Sequence, residues 1–205
     1  GPSPLPHRLA IATPTDTRET LAEARPRLWL GLAGVPPAGQ PREGMRRELH
    51  LEWILDILLG GSSPFFSTHY ESALIDGDSF GSEIYVDEPF SFCLIGGDTD
   101  DPIRLGEVLL ETLRHSETPA RVHHDFDRAS RRAYGELVTS FEDPGSVQQF
   151  IETAVLRSCH PFDLVELFLT TSAHDLVDTW ENSIRLPEAA STIVGPNVPH
   201  AAGSP

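Results

Sequence analysis

The chain contains no lysine: its 15 basic residues are all arginine, set against 31 acidic ones, and the formal net charge is −16. A field of that sign repels phosphate backbones, which argues against a nucleic-acid partner. Arginine in place of lysine throughout reads as genome composition rather than as a recognition device. Cysteine is scarce as well. Cys93 and Cys159 lie far apart in sequence, and Cys93 falls inside a β-rich run. Buried free thiols of a cytosolic protein are expected ahead of a disulfide, which sequence alone leaves open. No apolar stretch approaches the ~20 residues of a membrane span, and no secretory h-region is visible. A cytoplasmic location and no membrane partner are therefore expected. Internal repeats and a low-complexity core are lacking too.

What is present suffices for one domain. A chain of 205 residues buries roughly 70% of its unfolded surface and needs no disulfide or metal to hold it. Gly1-Pro2 resembles a protease-cleavage scar, and residues 1–24 read as that scar plus a linker from an upstream domain. Within them 7–12 suits a short strand, and Thr15-Asp16 suits the start of a helical turn. Leu28-Trp29-Leu30-Gly31-Leu32-Ala33 is an apolar run of strand length, fitting a buried central strand. Residues 34–44, with three prolines, read as an exposed loop. From Arg47 an amphipathic helix follows, with Leu49, Trp53, Ile54, Ile57 and Leu58 on one stripe. Gly60 and Gly61, in positive φ, are expected to end it.

Ser63-Pro64 then supplies a cap and a first-turn proline for a second helix. That helix carries Phe65, Phe66, Tyr70 and Leu74 to about Asp76-Gly77. Runs 80–86 and 90–95, split by Asp87-Glu88-Pro89, read as a hairpin. The loop Gly96-Gly97-Asp98-Thr99-Asp100 leads to Asp101-Pro102, another helix start, with Leu105, Val108, Leu109 and Leu113 at helical spacing. Pro119 is expected to break that helix, and Asp125 or Asp127 to start the next, through Ala133, Leu137 and Phe141. After a turn at Asp143-Pro144-Gly145, helices are expected over 147–156 and 162–180, the latter broken near 170–172. Residues 187–205, rich in Pro, Ala, Gly and Ser, read as a disordered tail. The order implies an α+β domain over 25–186: an antiparallel-rich sheet with helices packed on one face.

Motifs for chemistry are few. None of the nine histidines sits in His-x-x-Glu-His or His-Glu-x-x-His, the helical spacings that place zinc ligands one turn apart. His123-His124-Asp125-Phe126-Asp127 is the nearest lookalike. Adjacent helical histidines point about 100° apart, so a solvated helix start is the plainer reading unless a loop wraps them round an ion. Gly77-Asp78-Ser79-Phe80-Gly81 matches Gly-x-Ser-x-Gly, but a nucleophile elbow needs a strand before the serine and a helix after it. Here the order is reversed. The loop Gly96-Gly97-Asp98-Thr99-Asp100-Asp101 lacks the ligand spacing of a calcium loop and reads as an Asp cap.

Two runs carry a resemblance: Leu55-Asp56-Ile57-Leu58-Leu59-Gly60-Gly61-Ser62-Ser63, then Tyr70-Glu71-Ser72-Ala73-Leu74-Ile75-Asp76. Together with Ile95-Gly96-Gly97-Asp98-Thr99 and the helix after it, the stretch resembles the pitrilysin/insulinase-type zinc peptidases. In particular it is similar to the second, metal-free domain of the bacterial and mitochondrial-processing-peptidase-like members. The likeness covers most of the chain and fades past about Trp180. It implies the β-α-β-β-α-α order of that metallohydrolase fold. It implies a carboxy-terminal, non-zinc-binding half that walls a chamber for a peptide or protein substrate. That half would support a zinc-bearing homologous domain, in the same chain or on a partner subunit. Zinc is then expected only in the partner domain, with no cofactor, catalytic residue or activity in this chain alone.

Active members of the family carry an Arg and a Tyr seven positions apart on the helix after the Gly/Ser turn, which hold the peptide or its oxyanion. Aligned on Ser62-Ser63, those positions are occupied by Tyr70 and Gly77. Tyr70, with His69 beside it, is left as the substrate-binding candidate. Loss of both family residues implies an alternative, a degenerate relative kept as a non-enzymatic binding or assembly module. In the chamber reading the acidic surplus favours basic or extended peptides.

Overall fold

The computed structural model describes residues 16–20, 25–37, 40–87, 90–114 and 118–195, the side chains at 18, 20 and 185–188 excepted. Its spine is strand β2 (Arg27–Gly34), flanked by β1 (Thr17–Thr20), β3 (Gly81–Val86), β4 (Ser91–Asp98) and β5 (Ile184–Gly195). The sheet order is β1-β5-β2-β4-β3. Only the β1–β5 pair is parallel. The central strand expected from the apolar run is thus in place. The hairpin is there too: Val86 faces Ser91, and the Asp87 N–H donates to the Phe90 carbonyl at 3.0 Å.

Along β2, Leu28, Leu30 and Leu32 are buried while Trp29, Gly31 and Ala33 are only partly so. Successive side chains on a strand point to opposite faces, so one face meets a core and the other does not. The covering layer comprises α1 (Pro41–Leu59), α2 (Pro64–Glu71), α3 (Pro102–Arg114) and α7 (Ala173–Ser183). Contacts join α1 to β3, α3 to β2 and α7 to β5. The expected leucines and valine of α3 are all buried. Outside α1 pack α4 (Thr118–Ser140) and α6 (Pro161–Thr170), with α5 (Pro144–Leu156) against α6. The α+β architecture with helices on one face holds.

Local caps lie where the sequence places them. Ser63 accepts from the Phe66 N–H at 3.0 Å and Asp101 from the Arg104 N–H at 3.0 Å. Asp143, read as part of a turn, instead caps α5, accepting from the Ser146 N–H at 2.7 Å, so that helix begins at Pro144 rather than at 147. Several boundaries differ. Helix α1 begins at Pro41, inside the stretch read as a loop, because a proline in the first turn suits a helix start. Its C-cap Gly60 has φ −65°, not a positive value. A Cβ there would come within 2.3 Å of Asp56 Oδ1, so glycine answers a close approach rather than a left-handed turn. The left-handed residues are Ala73 (φ 57°) and Ser158 (φ 54°), just past α2 and α5. Helix α2 ends at Glu71, short of Asp76-Gly77, and Gly96 to Asp98 belong to β4 rather than to a loop. Pro119 lies in the first turn of α4, so that helix starts before Asp125.

Two segments read as unstructured carry strands. The helical turn expected at Thr15-Asp16 gives way to β1, and β5 runs to Gly195, past the Leu186 end of the expected domain. The register of β5 against β2 shifts between Gly31 and Ala33, in the stretch that holds Pro187, which cannot donate to a ladder. The expected strand at 7–12 and the tail from 196 lie outside the described residues.

One polar group is sunk in the helix layer. His50 of α1 is 1% exposed, with Nδ1 2.7 Å from Thr179 Oγ1 and Nε2 3.1 Å from Thr171 Oγ1. Burial, and secondarily the Arg46 charge, lower its pKa to about 4. Below pH 6.5 the unfolded chain takes up a proton that folded His50 refuses. Stability is therefore present above that pH and lost as pH falls toward 4. Between pH 7.5 and 5 this loss is expected to be about 2 kcal/mol, and His50→Gln should remove it from the pH dependence of urea unfolding. An unchanged slope in the variant contradicts the assignment.

Glycine is forced at position 96 of the sheet. A Cβ on Gly96 would stand 1.9 Å from the Leu28 carbonyl oxygen, whereas one on Gly31 meets nothing nearer than 3.7 Å. Gly96→Ala is expected to cost about 3 kcal/mol in denaturant unfolding, and Gly31→Ala less than about 1 kcal/mol. Equal effects would contradict this packing.

Candidate functional site

A concavity of about 530 Å³ lies between α1, α4, α5 and α6. Helix α1 builds its floor. Glu48, Glu52 and Asp56 recur every fourth residue and form one polar stripe, while Leu49 and Trp53 lie beside them. Trp53 is fixed by Phe126 and Phe168, with ring centroids at 6.0 and 5.4 Å. Phe150, Leu164 and Phe168 supply the far wall.

The charges in this cavity are unevenly matched. Arg132 bridges Asp56 at 2.7 Å and Glu136 at 2.9 Å, and Arg157 pairs with Glu48. Burial still raises the Glu48 carboxyl, against the pull of Arg157. Glu52 lies between the two ion-paired groups and has no ion pair or hydrogen bond within the described residues. Its side chain is exposed at the cavity mouth. Partial desolvation by the surrounding protein, reinforced by the Glu48 charge, raises its pKa to about 7. These carboxylates were missed in the sequence reading, although their four-residue spacing was the available signal.

The sequence-predicted pair on α2 does not converge on one point. Tyr70 is 57% exposed and stacks on Phe66 at 5.8 Å. A Cβ on Gly77 would stand 2.9 Å from its ring, so Gly77 makes room for Tyr70. His69 is half-buried, meets Phe65 edge-on at 4.5 Å, and lines a separate groove of about 380 Å³ with Glu111 and Arg121. Burial and the Arg104 charge lower its pKa.

The other motifs resolve into structural roles. Ser79 Oγ accepts from the Asp98 N–H at 2.9 Å and leads into a strand rather than a helix, so it has no nucleophile-elbow context. Asp98 pairs with Arg27, and Asp100 with Arg25. His123 and His124 lie within α4 rather than at its start, and both are exposed. Their neighbour Asp125 is engaged by Arg121 and Arg128. Among the described residues no three His, Cys, Asp or Glu side chains gather in a geometry that could hold a metal ion. Cys93 and Cys159 are both free thiols, and burial pushes Cys93 up to about 12.

A second surface lies across the sheet from the helices. Phe92 and Leu94 pair with Ala33 and Gly31 on the partly buried face of β2. Tyr85 stacks on Phe92 at 4.7 Å, and Phe90 stands 5.9 Å away. Tyr85 and Phe90 are 42% and 44% exposed, giving an aromatic row on a sheet face that no described helix covers.

Comparison with known proteins agrees with this architecture. No protein-family model matches the chain. It is 25% identical over 160 residues to the uncharacterized zinc protease YmfH of Bacillus subtilis, a match over 78% of this chain and 37% of that protein. The chain thus spans little more than a third of the curated relative it matches. The crystal structure named for an M16-like peptidase of Alicyclobacillus acidocaldarius superposes with TM-score 0.74 at 19% identity, over 88% of this chain and 44% of that one. The inactive peptidase domain of a zinc protease from Bordetella parapertussis gives TM-score 0.60 at 15% identity, over 90% and 99%. The likeness to pitrilysin-type peptidases drawn from the sequence therefore holds, and the chain has the fold of these peptidase domains, one called inactive among them.

Proposed function

We propose that this domain is the half of a pitrilysin-type peptidase that carries no zinc, and that it walls a peptide-binding chamber against a zinc-bearing half. The observation that carries this reading is the uncovered aromatic sheet face of Tyr85, Phe92 and Leu94, on a domain already packed on its other side. An apolar face of that kind is stable in water only when a further element covers it. The match to little more than a third of YmfH is consistent with a covering half in the same polypeptide, and a partner subunit is the other arrangement. Absence of a bound cofactor, a cytoplasmic location and no hydrolysis by the domain alone belong to the same proposal.

In this reading Tyr70, exposed on α2, is the residue left to touch a peptide, and His69 contributes from the neighbouring groove. The net charge of −16 draws basic or extended peptides toward the chamber. A second reading, a non-enzymatic binding or assembly module, is favoured by Tyr70 and Gly77. They replace the family's Arg and Tyr, and they pack on each other.

Peptide cleavage assayed with and without chelator separates the two. Cleavage by the complete protein that stops on chelation, with none by this domain alone, is expected for the first reading. Chelator-resistant cleavage, or hydrolysis by the isolated domain, contradicts it. Phe92→Arg is expected to weaken association of the two halves roughly tenfold or more while the domain stays folded. Unchanged association means that the aromatic row is not the docking face.

A further inference from the structure

We propose that the cavity between α1, α4, α5 and α6 binds an organic monocation, a protonated amine carried on an aromatic or aliphatic body. The inference is independent of the peptidase reading, because it concerns the helix side of the domain and not the open sheet face. Three observations support it. The volume of about 530 Å³ is that of a small-molecule site. Trp53, Phe150 and Phe168 offer apolar and aromatic surface, on which an organic cation is favoured over a hydrated metal ion.

The third observation is the charge count. Four carboxylates face two guanidiniums: Glu48, Glu52 and Asp56 from α1 and Glu136 from α4, against Arg132 from α4 and Arg157 just past the end of α5. The surfaces that α5 and α6 otherwise give to the cavity carry no charge. Both guanidiniums are taken, Arg132 by Asp56 and Glu136 and Arg157 by Glu48. An anion therefore finds no free cation here, whereas a cation finds Glu52. That carboxylate stands exposed at the cavity mouth between ion-paired neighbours and has no partner of its own among the described residues. A side chain so placed is free to take a ligand.

Binding of a cation should displace the Glu52 proton, so affinity follows ionisation of this one group. Its ionised fraction rises from about one tenth at pH 6 to about nine tenths at pH 8, given a pKa of about 7. The test is calorimetric titration of the chain with 2-phenylethylamine, with its neutral counterpart 2-phenylethanol, and with a capped Phe-Lys peptide. Both amines stay protonated over this range. At least one amine is expected to bind roughly tenfold tighter than the alcohol, and to gain roughly tenfold from pH 6 to pH 8. Glu52→Gln should lose both effects and melt no lower than the parent, since Glu52 holds no partner. Binding of the free amine alone, the peptide alone or both supports the site and identifies its ligand source. No binding of either amine, equal binding of amine and alcohol, or undiminished amine binding to Glu52→Gln overturns it. None of these outcomes bears on whether a zinc-bearing half docks on the sheet.

Discussion

The structure depends on the packing of helix α1 between two layers. Eleven of its nineteen residues are buried, far more than the single stripe of a surface helix. It touches the sheet through β3 and the other helices through α2, α4, α6 and α7. Ile54 and Ile57 are wholly buried, so α1 cannot shift without disturbing both layers. The stripe of Glu48, Glu52 and Asp56 is what remains once those contacts are made, and the cavity is the space that α4, α5 and α6 leave above it. Even the end of α1 is tight, since Gly60 sits against Asp56.

From that constraint the asymmetry of the sheet follows. All the helices in contact with strands belong to one layer, and the opposite face keeps Phe92, Leu94 and Trp29 only partly buried. On the proposed reading, that partly exposed apolar face is where a further element docks. The glycine at 96 serves the same sheet by letting β4 lie close against the Leu28 carbonyl.

Much of this was legible because it is local. Ser63-Pro64, Asp101-Pro102 and the break between α6 and α7 all depend on residues a few positions apart, and the capping hydrogen bonds at Ser63, Asp101 and Ser172 bear them out. Strand β5 was not legible, because it exists only by pairing with β1 and β2 from the other end of the chain, and Pro187 masks its pattern. The start of α1 was hidden by the prolines around it. At the site the difference is sharper. Tyr70 and His69 are adjacent in sequence, but one side chain stacks on Phe66 and the other turns to a different groove. Glu52 gave no sign of its solitude, since its neighbours' partners, Arg132 and Arg157, come from distant parts of the chain.

The histidines divide by environment in a way that bears on the whole proposal. His50 is held between two threonines, His69 lies against Phe65, and His123 and His124 stand exposed along α4. None is placed beside a second and third donor among the described residues. On the proposed reading this domain positions a peptide or a partner, and activation of water on zinc falls to the other half. The most direct measurement is the metal content of the purified domain, determined by mass spectrometry after zinc loading and gel filtration. The result expected is zinc far below one equivalent per chain, and a stable single equivalent would contradict it.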